Sequence, residues 1–380
     1  MRRVNFGDIV NIRDSEREPL NKKERNEIKG SGTYPYIGAN GIVDWVDEYL
    51  FDEKILCIAE DGGSWGKNEV CTQIYNEKCW VNNHAHVVTA KEKVLTEYLS
   101  YYLNYQDLNS FITGTTRGKL NQTNLKKIEI PLPSLSEQKA IVAKLDRAQR
   151  LIDIDREMLA KYDELIQSVF LEMFGDPVTN PKGLKEKDFG ELVDITGGYA
   201  FKSKNFLDDE SGVKVVKIAN VHFIDLDWSE VQYLPMESLK EHENYSLKEG
   251  DILLALTRPI INSLDAVKAV VVKESDLPAL LNQRVARIRV DSDEVTEDYI
   301  TSFIYTQHFK RQIEKYASTS LQPNVSNKEV SKIKVLVPEI DQQRKFSEIR
   351  QRILNERDAL EMNQRKSEEL FSSLVQGAFG

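Results

Sequence analysis

The feature that most constrains this chain is that it is written twice. Leu120–Gly175 lies over Val325–Gly380 at a constant offset of 205, without a gap. Lys127-Ile128 falls on Lys332-Ile333, Pro133 on Pro338, Gln138 on Gln343, Arg147 on Arg352 and Phe174-Gly175 on Phe379-Gly380. Weaker echoes run upstream. Phe6-Gly7-Asp8-Ile9 matches Phe189-Gly190-Glu191-Leu192, Lys54–Ile58 matches Asp251–Ala255, and Asn82-Asn83-His84 matches Asn282-Gln283-Arg284. Their offsets are 183, 197 and 200, a growth that loop insertions in the second copy would produce. A repeat of this kind specifies two similar domains, and 380 residues is also more than one ordinary core holds.

Each copy has two parts. The first is a mixed stretch in which short β-branched or aromatic runs sit between Gly, Asn and Asp turns. Lys54–Ala59, Val213–Ile218, Ala266–Val272 and Val285–Val290 read as strands. The second part is one long helix. From Ile141, apolar residues recur at Leu145, Ala148, Ile152, Leu159, Tyr162, Ile166, Val169 and Met173, a heptad seam broken only by Asp155. Ser136 follows Pro133 as a capping residue, and Ser134-x-x-Glu137 offers a capping box one turn earlier. Gly175-Asp176-Pro177 ends the helix. In the second copy Asp341 follows Pro338 as the matching cap. Phe346, Ile353, Leu360, Phe371 and Leu374 keep phase there, while Arg350, Arg357, Gln364 and Ser367 interrupt it.

The expected fold is therefore α+β: two similar α/β domains separated by a pair of long antiparallel coiled-coil helices, with a pseudo-twofold internal repeat. A helix of about 38 residues is roughly 57 Å long. Paired head to tail, two of them would hold two reading heads at a set distance along one duplex. A coiled coil that merely spaces or dimerises two modules fits the same geometry.

Composition narrows the class. With 41% hydrophobic and 29% charged residues, 19 Gly and 11 Pro, collagen-like and wholly disordered readings fail. No apolar run approaches a membrane span, and the opening residues carry no secretory apolar stretch. Cys57, Cys71 and Cys79 contain no C-x-x-C pair, so neither a disulfide framework nor a structural zinc is expected, and a cytoplasmic setting is. The net charge of −10 argues against bulk coating of nucleic acid but not against local recognition.

Several phrases carry a resemblance. Lys127–Gln138 and Ser168–Pro177 resemble the borders of the helical conserved region in specificity subunits of type I restriction–modification systems. Phe6–Ile9, Phe189–Leu192, Leu247–Leu254 and Asn282–Ala286 resemble parts of that family's target recognition domains. The resemblance implies target recognition domains at 1–133 and 179–337, with conserved helical regions at 134–178 and 338–380. It implies a DNA-reading subunit without catalysis or cofactor of its own. Each recognition domain would read half of a bipartite double-stranded DNA site. The helices would set the gap and dock two adenine-methylating modification subunits, and restriction subunits would join as translocase and nuclease.

The residues themselves supply no competing chemistry. Asn180-Pro181 continues as Lys182-Gly183 rather than as a methyltransferase aromatic clamp. Asp61-Gly62-Gly63-Ser64-Trp65-Gly66-Lys67 is neither a dinucleotide loop nor a P-loop. His84 and His86 lack further ligands at metal spacing, so no metal is expected. A stand-alone methyltransferase or nuclease is disfavoured on these grounds; a protein scaffold of two repeated modules remains the other class.

Candidate DNA contacts follow from side-chain type. In the first domain they are Ser64, Trp65, Lys67, Asn83, His84, Thr116, Arg117, Lys119 and Asn121. In the second they are Tyr199, Phe201, Lys202, Lys204, Arg258, Gln283, Arg284, Gln322 and Asn324. Trp65, Tyr199 and Phe201 could equally be core. The acidic helix residues Asp146, Asp153, Asp155, Glu157, Asp163 and Glu164 are expected to face partner proteins, leaving the isolated chain with low DNA affinity.

Overall fold

Short β-branched runs become strands of the same two sheets in each copy. The computed structural model describes residues 2–114, 116–207, 209–262, 266–317 and 322–380. The chain divides into two units, Met1–Arg156 with Glu361–Gly380, and Glu157–Leu360.

The strands of the two larger sheets of unit 1 are β1 (Val10–Ile12), β2 (Tyr34–Gly38), β3 (Gly41–Val46), β4 (Ile55–Ala59), β5 (Thr72–Tyr75), β6 (Trp80–Val81) and β7 (Ala85–Ala90). They form an antiparallel sheet of order β1-β7-β4-β5 and a smaller sheet β3-β2-β6, whose β2–β6 pair is parallel. Every residue of β4 is buried, as a continuous apolar run at the centre of a sheet should be. Helices α1 (Thr96–Tyr105) and α2 (Leu135–Phe174) follow.

Unit 2 repeats the scheme. The strands of its two larger sheets are β8 (Val193–Gly197), β9 (Val213–Val216), β10 (Gln232–Leu234), β11 (Ile252–Ala255), β12 (Ala269–Val271), β13 (Ala279–Leu281) and β14 (Val285–Val290). The sheets run β8-β14-β11-β12 and β10-β9-β13, again with one parallel pair, β9–β13. Register repeats too: Leu56 opposes Val88 as Ile252 opposes Ile288, and Ala59 opposes Ala85 as Ala255 opposes Val285. The run Ala266–Val272 is interrupted at Lys268, whose N–H donates to the Pro259 carbonyl. Helices α3 (Glu297–Ile304) and α4 (Ile340–Phe379) follow, the last part of α4 belonging to unit 1.

Helix α2 starts at the capping box, not at Ser136. The Ser134 hydroxyl accepts from Glu137 N–H at 3.3 Å, and the Glu137 carboxylate accepts from Ser134 N–H at 2.8 Å. Ser134 has its reciprocal partner three residues on, whereas Ser136 has Lys139 there. Asp341 is likewise not the cap of α4. Gln342 and Gln343 bond to the Glu339 carbonyl, which leaves Asp341 in the first turn, where its charge complements the helix dipole. Gly175 closes α2 in the left-handed region at φ +83°, its N–H bonded to the Leu171 carbonyl.

The long helices pair antiparallel within each unit. In unit 1, Val142 and Leu145 near the start of α2 share a core with Val375 and Phe379 near the end of α4. In unit 2, Ile166, Phe170 and Phe174 share a core with Phe346 and Ile353. The polar interruptions are matched across the pair. Arg357 Nε donates to Asp163 at 3.1 Å, and the Ser367 hydroxyl donates to Asp155 at 3.2 Å. Arg350 bonds to Asp298 at the start of α3. Asp155 and Asp163, with Asp146, which accepts from the Tyr101 hydroxyl at 2.8 Å, thus bind within the chain. Placing acids opposite the polar positions of the other helix satisfies buried charge. Asp153, Glu157 and Glu164 stay exposed.

A repeated glutamine anchors each helix to its unit. Gln138 is fully buried, donates to the Lys93 and Pro133 carbonyls at 3.1 and 3.0 Å, and accepts from Leu95 N–H at 2.9 Å. Gln343, also fully buried, bonds in the same way to Glu294, Pro338 and Thr296. Replacing either by alanine orphans three backbone groups. The expected loss is about 1–3 kcal/mol of unfolding free energy in the unit concerned, read by denaturant titration.

Candidate nucleic-acid interface

Three chain segments converge in the same way in each unit. In unit 1 they are the end of β4 running into Glu60-Asp61-Gly62, the turn Asn82-Asn83-His84 before β7, and Arg117-Gly118-Lys119-Leu120. Glu60 N–H donates to the His84 carbonyl at 2.9 Å, Leu120 N–H to Glu60 at 2.8 Å, and Gly62 N–H to Gly118 at 3.2 Å. In unit 2, Leu256 N–H donates to the Arg284 carbonyl at 2.8 Å, Val325 N–H to Leu256 at 2.9 Å, and Arg258 N–H to Pro323 at 2.7 Å. His84 therefore corresponds to Arg284, Lys119 to Asn324 and Gly62 to Arg258. Asn82 and Asn282 shape the two turns, each side-chain oxygen accepting a following backbone N–H at 2.8 Å.

The unit 1 surface is knitted by charge. His84 Nδ1 lies 2.8 Å from Asp61, and Arg117 reaches the same carboxylate at 2.9 Å. Lys119 Nζ is 3.0 Å from Glu60, which also takes Arg17 at 2.7 Å. Burial alone would raise Glu60, but Arg17, Lys119 and His86 outweigh it and hold its carboxyl below the usual range. Gly62, at φ +63°, lies under the Arg117 guanidinium, where a Cβ would come within 2.7 Å of it. Beside these groups is an open cavity of about 580 Å³, walled by Tyr36, Asn40, Val43, Asn83, His84 and Arg117.

Asn83, His84, Thr116, Arg117 and Lys119 are thus brought together or adjoin one another, all at least partly exposed. Ser64 and Lys67 are exposed on the glycine loop, with Lys67 over the Tyr105 ring at 5.3 Å. Trp65 is buried in the unit 1 core, its indole N–H donating to the Ala59 carbonyl; it shapes the loop from beneath and offers no contact surface. Asn121 spends its amide oxygen capping the short helix at Gln122–Lys126.

In unit 2, Arg258, Arg284, Gln283, Gln322 and Asn324 meet at the corresponding place. The Asn324 amide oxygen accepts from the Thr257 hydroxyl. Gln283 N–H donates to the Tyr199 carbonyl at 2.9 Å, which ties the Gly197–Lys204 loop to the surface. Tyr199 is 40% exposed and packs on His242 at 4.5 Å and Phe201 at 5.0 Å. Phe201 is partly buried against the β9, β10 and β13 core. Lys202 and Lys204 are exposed on the same loop.

Sequence reasoning missed Asn40. Its amide donates to the Gly62 carbonyl at 3.1 Å from the tip of the β2–β3 hairpin, and Ile42, Val43 and Trp45 stand exposed on β3. The dipeptide Asn40-Gly41, with Gly41 at φ +113°, was the available hairpin signal. Asp14, Glu60 and His86 approach closely enough to suggest a metal, but Arg17 supplies a cation to both carboxylates.

Each unit of this duplicated α+β fold thus carries one three-segment surface and a pair of antiparallel helix segments. The family model of the type I restriction modification DNA specificity domain matches residues 1–161 and 181–370, and the chain belongs to this family. It is 27% identical over 372 residues to the type I restriction enzyme MjaVIII specificity subunit of Methanocaldococcus jannaschii, covering 91% of this chain and 84% of that one. Over 139 residues it is 38% identical to a putative type I restriction enzyme specificity subunit, S.HindORF215P, of Haemophilus influenzae, covering 37% of this chain and 35% of that protein. The fold matches the crystal structure of the type I restriction–modification S subunit from M. genitalium with a TM-score of 0.53 at 16% identity, covering 100% and 96% of the two chains. Among the described residues no helix is long and apolar enough to cross a membrane.

Proposed function

We propose that this chain is the sequence-reading subunit of a type I restriction–modification complex. Its recognition domains, 1–133 and 179–337, each read one half of a bipartite DNA site. The helical regions, 134–178 and 338–380, set the gap and dock two modification subunits, with restriction subunits joining the same assembly. The chain itself is non-catalytic. What carries the reading is the repetition of one surface with different side chains: the hydrogen-bond frame is kept while the groups it presents change. His84, Arg117 and Lys119 in one unit become Arg284, Gln322 and Asn324 in the other. Conserved frame with altered donors and acceptors is what two heads reading two different sequences require.

The methylome tests this. Deleting the gene is expected to erase one bipartite adenine-methylation mark. Exchanging residues 1–133 for another such domain should change one half of that mark only, and lengthening both helices by one turn should change the gap. Survival of the mark after deletion would refute the reading.

A further inference from the structure

Exposed guanidinium groups without a partner among the described residues occur in unit 2 at Arg258, Arg284, Arg311 and Arg352, and backbone conformation sets the first two apart. Arg287 and Arg289 bond to Asp194 and Asp251, Arg350 to Asp298 and Arg357 to Asp163. Among the described residues the guanidinium groups of Arg258 and Arg284 have no ion pair or hydrogen bond, and both residues are exposed. Both also hold left-handed backbone, at φ +48° and +69°. That conformation favours glycine, and unit 1 uses glycine at the position matching Arg258. Arginine at both places keeps a backbone penalty that glycine would relieve, a pattern found at functional positions.

Their placement is rigid. Arg258 N–H is bonded to Pro323, and the Arg284 carbonyl accepts from Leu256 N–H, two residues before Arg258. The two side chains thus rise from adjacent, hydrogen-bonded segments of one surface. A phosphate contact needs only positive charge on a loose stem. An unpaired planar fork on a fixed, strained backbone suits bidentate donation to guanine O6 and N7.

We propose that Arg258 and Arg284 each read a guanine in the major groove, so that the half-site of unit 2 contains G·C pairs at the positions they face. The proposal rests on the DNA-reading assignment above and adds the base class. In unit 1 Arg117 of the matching surface is engaged by Asp61, which also bonds to His84, so its half-site is not bound by this rule.

The test uses the assembled complex with its modification subunits and duplexes in which each base pair of the unit 2 half-site is replaced in turn. Arg258→Lys and Arg284→Lys keep the charge and lose the fork. Each is expected to lose about 10- to 100-fold of discrimination at one G·C position, with the other half-site and the salt dependence unchanged. Arg258→Gly and Arg284→Gly should lose the same discrimination without lowering the melting temperature, because glycine accepts the backbone. Lysine variants that retain wild-type preference, or a relaxed position that is not G·C, would overturn the proposal. Unchanged preference in both glycine variants, with a changed unit 1 half-site in Arg117→Ala, would sink this inference alone. Unchanged preference in all three would sink the DNA-reading assignment itself.

Discussion

Replacing Phe174 by alanine is expected to cost unit 2 about 3–5 kcal/mol of unfolding free energy. The ring is 2% exposed at the end of α2 and meets Phe170 at 5.1 Å, Tyr299 of α3 at 5.0 Å and Phe346 of α4 at 5.4 Å. One side chain therefore joins three helices, and its removal leaves a cavity that three separate elements would have to shift to fill. The neighbours are themselves fixed: the Tyr299 hydroxyl donates to the Leu336 carbonyl, and Phe346 lies three residues beyond the buried Gln343. Collapse is thus restricted, which puts the cost toward the upper part of the range. Trp228 is the single tryptophan of unit 2, so its fluorescence during denaturant titration reports the loss there. Phe379→Ala is the control by symmetry. That ring meets Tyr98, Tyr102 and Tyr105 at 5.4, 5.5 and 6.0 Å, and the loss should register through Trp65 and Trp80 of unit 1. A change below about 1 kcal/mol in Phe174→Ala would mean that the three-helix junction is not held by this ring.

The same two phenylalanines show how far the sequence could be read. Their offset of 205 was plain, and so was the helix that carries them. The heptad pattern, however, placed Val169 and Met173 on the seam, whereas the structure buries Phe170 and Phe174 more deeply. A straight helix drifts by about 20° per heptad against a 3.5-residue repeat. After four heptads the inward face of α2 has moved on by a residue, and there it meets a globular core as well as a partner helix. The capping box at Ser134 and the glycine stop at Gly175 were legible because their chemistry is local. The intrachain partners of the acids on α2 were not legible for the opposite reason: which of them meet Tyr101, Arg357 or Ser367 depends on pairing across distant segments. The surface residues divide in the same way. Residue type selected Arg117, His84, Arg258 and Arg284, and the repeat predicted which would correspond. Neither could disclose that Asp61 engages two of them, that Trp65 lies beneath its loop, or that Asn40 reaches Gly62 from another sheet.

Charge in unit 1 is organised around Asp14, and its removal carries the second large effect. Asp14 accepts from Val87 N–H at 2.9 Å, from the Gln122 amide at 3.1 Å and from His86 Nδ1 at 2.6 Å, and lies 3.6 Å from Arg17. His86 is 1% exposed, and its other nitrogen donates to the Leu120 carbonyl at 2.7 Å. Because Leu120 also bonds to Glu60, this buried cluster supports the three-segment surface from below. Asp14→Ala would leave Arg17 and His86 short of an anion in a dry interior, and about 3–5 kcal/mol of stability should be lost. Asp14→Asn should cost less, since its amide oxygen can still accept from Val87. The pH dependence follows from direction. Burial by itself raises the Asp14 carboxyl, but His86, the Val87 N–H and Arg17 outweigh it and hold it below its ordinary value, and Glu60 is lowered as well. A carboxylate depressed by folding binds fewer protons in the native state. Its contribution is therefore complete above the unfolded value of about 4 and disappears as the pH falls through the folded value. Wild-type unit 1 should lose stability steeply below about pH 4, and Asp14→Ala should flatten that slope while lowering the plateau at neutral pH. Denaturant titrations at pH 3 to 7 would measure both. A variant with an undiminished neutral plateau would mean that Arg17 and His86 find other partners and that the surface above does not depend on this carboxylate.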